Sequence, residues 1–202
     1  MGESLQSIAK QIVADYKGLL AADESTPTAT KRLDSIGMES NEENRRQYRN
    51  VFLTTEGIEN YISGVILFEE TLHQKTSDNK PFVEMLQDKG VIPGIKVDKG
   101  AKDLAFYEGE KVTEGLDKLR DRLAEYYKIG CRFSKWRAVI LIDQGKSLPT
   151  DFCIQANAHA LARYAALSQE AGIVPVVEPE VLYDKGNHDL ATAETITTQA
   201  LE

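Results

Sequence analysis

Seven charged side chains stand at positions where charge is costly. Lys96 and Asp98 lie in the apolar run Gly94–Asp98, Lys135 and Arg137 in Phe133–Ile142, and Glu178 and Glu180 in Ile173–Val181. Asp23 closes the run Gly18–Asp23. Within each pair the spacing is two residues, which on a strand puts both side chains on one face. A charge in a strand interior costs several kcal/mol unless it finds a partner (roughly 3–5 when one member of a buried pair is lost). Four strands sharing this feature point to charges that meet one another. Close acids and bases tune each other's pKa values, which is what proton-transfer chemistry requires. The bland alternative is that each pair ends its strand in a solvated loop or forms a structural salt bridge. Among the strand residues, the four acids face only three cations, so a further cation would balance the cluster.

A second group follows the first run. Ser25, Thr26 and Thr28 offer hydroxyls at a helix start, Pro27 stands near the first helical position, and Gly37 stands at the far end. Lys31 and Arg32 come one turn later. Hydroxyls, backbone N–H groups and a guanidinium at a helix N-terminus can hold a phosphate. An ordinary N-cap explains the same residues and, on this stretch alone, is the simpler reading. His73, His159 and His188 are scattered, with no spacing that would hold a catalytic metal. A metal-free enzyme acting on C–C bonds needs another electron sink, and a lysine iminium is the option left.

The elements that must position these groups can be read from periodicity. Leu5, Ile8, Ala9 and Ile12 make one face of an opening helix, expected over about residues 3–15. Five apolar runs of strand type follow: the three above, Gly18–Asp23 and Gly64–Glu69. Their near-continuous Val/Ile/Leu content suits strands buried on both faces. Ser40 with Glu43 predicts a capping box and a helix presenting Asn44, Tyr48, Val51 and Phe52. Thr113 is expected to open a helix with Leu116, Leu119, Leu123 and Tyr126 along its stripe and Gly130 at its end. An Ala-rich helix is expected from Asp151 to Glu170, stopping at Gly172, and another starts near Thr192.

The runs begin at 18, 64, 94, 133 and 173, a step of 30 to 46 residues. Five βα steps predict an α/β fold, either a barrel or a doubly wound sheet. With no G-x-G-x-x-G after the first strand and no P-loop, the nucleotide-binding open sheets lose support. A barrel takes eight strands over typically ~250 residues, so five strands form an incomplete one.

The 202 residues carry a net charge of −8, with 42% hydrophobic and 28% charged residues. That balance fits one globular domain spanning 1–202, and the acidity argues against nucleic acid as a partner. No apolar run is long enough to span a membrane, and the N-terminus lacks a signal-peptide core. Gln6 stands where a myristoylation signal wants Ser or Thr. Cys131 and Cys153 have no paired spacing, which excludes a disulfide scaffold and a Cys-based zinc site.

Seven segments occur in order: LLAADEST (19–26), KRLDSIG (31–37), EENRRQYR (42–49), GVILFEETL (64–72), GIKVDKG (94–100), FSKWRAV (133–139) and VPVVEPEVL (174–182). As a set they closely resemble the class I fructose-bisphosphate aldolases, over roughly residues 5 to 202. The resemblance implies a (β/α)8 TIM barrel, of which this chain supplies about the first five βα units. It implies reversible, metal-free and cofactor-free Schiff-base cleavage of fructose 1,6-bisphosphate to dihydroxyacetone phosphate and glyceraldehyde 3-phosphate.

By match of motif, Glu178 would be the general acid/base, and Glu180 would position the Schiff-base lysine. Asp23 would take or orient the C4 hydroxyl proton. Lys135, assisted by Lys96, would stabilise developing negative charge. Arg137, Arg45 and Arg32 would bind substrate, and Ser25 and Thr28 the phosphate on the sixth carbon. Pro27 and Thr28 depart from the family's common Gly and Ser, although Thr keeps the hydroxyl.

No lysine here matches the Schiff-base position, so that lysine is expected beyond this chain and the 202 residues alone are expected to be inactive. The resemblance further implies a sugar-phosphate substrate, no membrane partner, a homotetramer for the complete protein, and a cytoplasmic location with a plastid as the alternative. The competing functions are an aldolase-derived, non-catalytic binding module and another metal-free (β/α) enzyme of sugar phosphates.

Overall fold

The computed structural model describes residues 4–183 and 185–202. All five apolar runs form strands: β1 (Gly18–Ala22), β2 (Ile62–Leu67), β3 (Ile92–Lys96), β6 (Phe133–Leu141) and β7 (Val174–Leu182). They make one parallel sheet in the order β1-β2-β3-β6-β7. Between them run α2 (Thr26–Asp34), α3 (Glu42–Leu53), α4 (Glu69–Leu72), α5 (Phe82–Asp88), α6 (Leu119–Ile129) and α7 (Asp151–Glu170). α1 (Leu5–Ile12) precedes the sheet and α8 (Leu190–Leu201) follows it.

Alternation along the strands divides the sheet into two faces. The outward residues Ala22, Val65, Leu67, Ile95, Trp136 and Ala138 join the helices in the main core, with Leu53, Phe82, Leu86, Leu123 and Tyr164. The inward residues Ile66 and Phe133, with Leu19, Ile92, Val174 and Val176 at their edge, form a second cluster with Ile8 and Ile12 of α1. α1 therefore plugs the end of the inner face where the strands begin. Phe133 fills that end because its neighbours are glycines. A Cβ on Gly64 would stand 2.9 Å from both Leu19 Cδ2 and Phe133 Cε1, and one on Gly94 would fall within the Phe133 ring's own space.

Several local expectations are corrected. The opening helix spans Leu5–Ile12, shorter than 3–15, with Ser4 accepting from the Ser7 amide as its cap. α3 is capped by Asn41, whose side chain accepts from the Asn44 amide; Ser40 instead accepts from the Thr30 hydroxyl. On α3, Val51 faces solvent while Arg49 and Leu53 are buried, so the inward stripe is rotated from the expected one. Thr113 ends a strand rather than opening a helix: β4 (Ala101–Asp103) and β5 (Lys111–Thr113) form an antiparallel hairpin absent from the apolar pattern. Asn157 of α7 holds it, accepting from the Thr113 amide and donating to the Lys111 carbonyl. α7 has the expected bounds, and α8 starts two residues earlier than expected, behind an Asp189 cap.

Candidate active site

The inner face changes character along the strands. In register, Phe133 lies beside Val174 and Lys135 beside Val176; then Arg137 lies beside Glu178 and Val139 beside Glu180. Lys96 of β3 is level with Lys135. Past the first two layers the face is charged, and this is the C-terminal end of the strands, where barrel sites sit.

The charges meet there. Lys135 Nζ lies 2.8 Å from Asp23 Oδ2 and 3.2 Å from Glu178 Oε2, so one ammonium bridges the ends of β1 and β7 across the intervening strands. Burial disfavours this ammonium, but the hydrogen bond and charge of Asp23, with Glu178 behind them, outweigh it and raise the Lys135 pKa. Arg137 donates through Nε to Glu180, and the same balance of burial against acidic neighbours raises its pKa. Lys96 Nζ lies 3.3 Å from Asp98 Oδ1, while Asp98 accepts from the Gly100 and Arg137 amides at 3.1 and 3.3 Å. Three cations thus serve all four acids, because Lys135 serves two.

Apart from Asp98, these groups line a cavity of about 460 Å³, within the usual range for a small-molecule site. Asp23, Lys96, Lys135, Arg137, Glu178 and Glu180 make its floor, and Ser25, Thr28 and Arg32 stand on its wall. Ser25 is the N-cap residue of α2, yet its side chain makes no capping bond; its hydroxyl lies 3.2 Å from that of Thr28. Two hydroxyls therefore sit together at a helix N-terminus beside the acid/base cluster, a favourable place for a phosphate. Arg32 is half-exposed and paired with Glu24 and the Tyr48 hydroxyl, the latter at 2.6 Å.

Arg45 is the one predicted site residue that does not line the cavity. Its guanidinium is taken by Glu70 of α4, at 2.9 Å from Nε and 2.6 Å from Nη2, and by the Ser40 carbonyl at 3.0 Å. Among the described residues, no cluster of His, Cys, Asp and Glu could hold a metal ion. No helix among them is long and apolar enough to cross a membrane.

The family model for class I fructose-bisphosphate aldolase matches residues 4–202. The chain belongs to the class I fructose-bisphosphate aldolase family. A probable class 1 fructose-bisphosphate aldolase of Xanthomonas campestris is 57% identical over 199 residues, 98% of this chain and 59% of that protein. A cytosolic fructose-bisphosphate aldolase of Arabidopsis thaliana is 54% identical, over 98% of this chain and 55% of its own length.

Among solved structures, the Plasmodium falciparum aldolase, crystallised with TRAP and a small-molecule inhibitor, superposes with a TM-score of 0.94. It is 48% identical, over 98% of this chain and 56% of its own. The chain thus spans somewhat over half the length of these aldolases, and its sheet is a five-strand part of the α/β barrel.

Sequence reasoning missed Arg49, which lies behind the cavity rather than on its lining. It lies on α3, 1% exposed, and donates to the carbonyls of Ala22 and Glu24 on either side of Asp23. Its ion-pair partner is Glu24, not one of the four acids, so it is not the further cation expected for that cluster. The only signal was its helical spacing from Leu53 and Phe52, and three arginines in RRQYR look like a solvated face.

Proposed function

We propose that the complete protein to which this chain belongs is a class I fructose-bisphosphate aldolase of glycolysis and gluconeogenesis. It cleaves fructose 1,6-bisphosphate reversibly, and its Schiff-base lysine lies outside these 202 residues, which form a single, incomplete barrel domain. The observation that carries this reading is Lys135 bridging Asp23 and Glu178 in a cavity walled by Ser25 and Thr28.

Iminium formation requires a hydroxyl to leave the carbinolamine as water, so a carboxylic acid must deliver a proton to it; Glu178 is that acid, and its carboxylate is the base in the reverse step. In cleavage, the C4 hydroxyl proton passes to the Asp23 carboxylate as the C3–C4 bond breaks. The bonding pair flows into the iminium, giving an enamine and an aldehyde. Lys135 stands between these two carboxylates, where its retained charge stabilises the anionic one at each stage. Lys96 supports it from the next strand, and Glu180 positions the Schiff-base lysine.

Ser25, Thr28 and the α2 N-terminus take the phosphate on the sixth carbon. Arg32 and Arg137 bind substrate after exchanging a carboxylate partner for it, and Arg45 joins them only if it releases Glu70. Family membership further supports a homotetramer, and the Arabidopsis relative's name supports the cytosol, with a plastid as the alternative.

Glu178→Gln in the complete protein is expected to lower kcat by about 10²–10⁴. Unchanged turnover would remove Glu178 from the mechanism. The 202-residue chain alone is expected to give no borohydride-trapped adduct with dihydroxyacetone phosphate; a stable adduct would sink the assignment of the Schiff-base lysine to sequence outside it.

A further inference from the structure

Asp23 is held by more than its partner. It follows the last residue of β1, on a loop that must turn from strand to helix within three residues. Arg49 spans that turn from behind: Nε donates to the Ala22 carbonyl at 3.0 Å and Nη2 to the Glu24 carbonyl at 2.6 Å. Its Nη2 also lies 3.7 Å from Glu24 Oε2, whose own Oε1 accepts from the Tyr48 hydroxyl at 2.9 Å.

A buried guanidinium is expensive, and Nη1 makes no hydrogen bond among the described residues. Burial lowers the Arg49 pKa, while Glu24, Tyr48, Glu70 and Asp23 oppose it. A core position filled this way is badly spent on stability alone, since an apolar residue of similar volume would pack there without a desolvation cost.

The same construction recurs at the end of β3. Arg122 of α6 donates to the Val97 carbonyl at 2.9 Å and to the Gly115 carbonyl at 2.5 Å. Val97 precedes Asp98 as Ala22 precedes Asp23. In both places a helix-borne guanidinium fixes the peptide just before a carboxylate that faces the cavity's lysines. The planar fork suits this task, because it reaches two carbonyls in a set geometry and an ammonium cannot.

We propose that Arg49 is a positioning residue of this site, locking the 22–24 backbone so that the Asp23 carboxylate points at Lys135. What Asp23 then does rests on the aldol reading above; that Arg49 aims it rests on the geometry alone.

The test is the Lys135 titration, followed by NMR on the 202-residue chain with labelled lysine and assigned with K135M. Among the described residues, Lys135 pairs with two carboxylates, Asp23 from the end of β1 and Glu178 from β7, and the ammonium of Lys96 lies level with it on β3. D23N is expected to lower the Lys135 pKa, since it removes the hydrogen-bonded carboxylate that raises it. R49K, which keeps the charge but loses the fork, is expected to produce most of that drop, and R49K/D23N no more than D23N alone. R122K, acting on the other strand end, is expected to leave Lys135 in place.

An R49K titration identical to wild type would overturn the proposal, as would full additivity with D23N or an equal shift in R122K. If R49K does not fold, the unaltered chain still decides. Its Arg49 side-chain N–H groups are expected to exchange slowly, with the guanidinium rotation frozen, and rapid exchange would overturn the proposal. Unchanged turnover of Glu178→Gln in the complete protein would instead strike the aldol reading and leave this result standing.

Discussion

The inner face of the sheet has two ends built on opposite principles. Where the strands begin, Phe133, Ile66 and Ile92 meet Ile8 and Ile12 of α1, and no charge enters the cluster. Where they end, within a few residues on the same strands, the inward positions are Lys96, Lys135, Arg137, Glu178 and Glu180. The first end gains from removing apolar area from water, about 25 cal/mol per Å². The second must offset desolvation with ion pairs that roughly break even. The contrast teaches that one sheet can separate holding together from doing chemistry, with a single change of residue type along β3, β6 and β7. Lys135 is two residues from Phe133, and their inward direction is the same.

The largest effect is therefore expected at the closed end. Phe133→Ala removes a fully buried ring that rests over Gly64 and Gly94, neither of which has a side chain to refill the space. A loss of about 3–5 kcal/mol is expected in urea unfolding. Gly94→Ala at the same contact is expected to cost about 1–3 kcal/mol by overpacking. A loss below about 1 kcal/mol for Phe133→Ala would mean the ring's space refills, and the closed end would not be the holding end.

How much of this contrast could be read in the sequence follows from the same geometry. On a strand, two-residue spacing leaves little choice of direction, so the pairs at 96 and 98, 135 and 137, and 178 and 180 declared a common face before any fold was known. The five strands were legible for a related reason, since doubly buried strands have nearly unbroken apolar runs. Helix-borne charges were not legible. Arg45 and Arg49 are four residues apart on α3, yet one pairs with Glu70 and the other is buried under the β1 loop. Spacing from Phe52 and Leu53 is the one local hint for Arg49, and it names no partner, because the partners lie about 25 residues away in each case. The β4–β5 hairpin escaped because its strands are short, with β4 exposed throughout, and it is fixed by Asn157 rather than by an apolar pattern.

At the charged end a smaller loss is expected. Lys135→Met leaves Asp23 and Glu178 without their shared cation. Removing one member of a fully buried pair costs about 3–5 kcal/mol, but Glu178's side chain is 36% exposed, so about 1–2 kcal/mol is expected here. A K135M loss larger than that of F133A would break the comparison outright. The gap between wild type and K135M should also depend on pH in one direction. The folded pKa of Lys135 is raised, so its contribution is complete below the ordinary lysine value of about 10.4 and is lost as pH rises through the higher folded value. Urea midpoints from pH 7 to 11 check this; a gap that narrows between pH 7 and 9 would contradict the raised value.

The smallest effect sharpens the contrast through two reporters already in place. Cys131 stands just before β6, at the closed end, and Cys153 in the first turn of α7, beside the open one; both are free and buried. Burial pushes the Cys131 thiol up to about 12, and burial with Glu110 nearby pushes Cys153 up to about 11. Both are thus almost wholly protonated at pH 8, and native labelling by a thiol reagent must wait for local opening. Cys131 is anchored in the main core, its amide donating to the Tyr126 carbonyl at 2.9 Å. Cys153 lies under the short hairpin, its Sγ 3.5 Å from the Lys111 carbonyl. A helix's first turn beneath a three-residue strand opens at lower cost than the root of a central strand. Cys153 is therefore expected to label first, with Cys131 silent until global unfolding. The reverse order would place the looser packing at the closed end, and the division of labour between the two ends would fail.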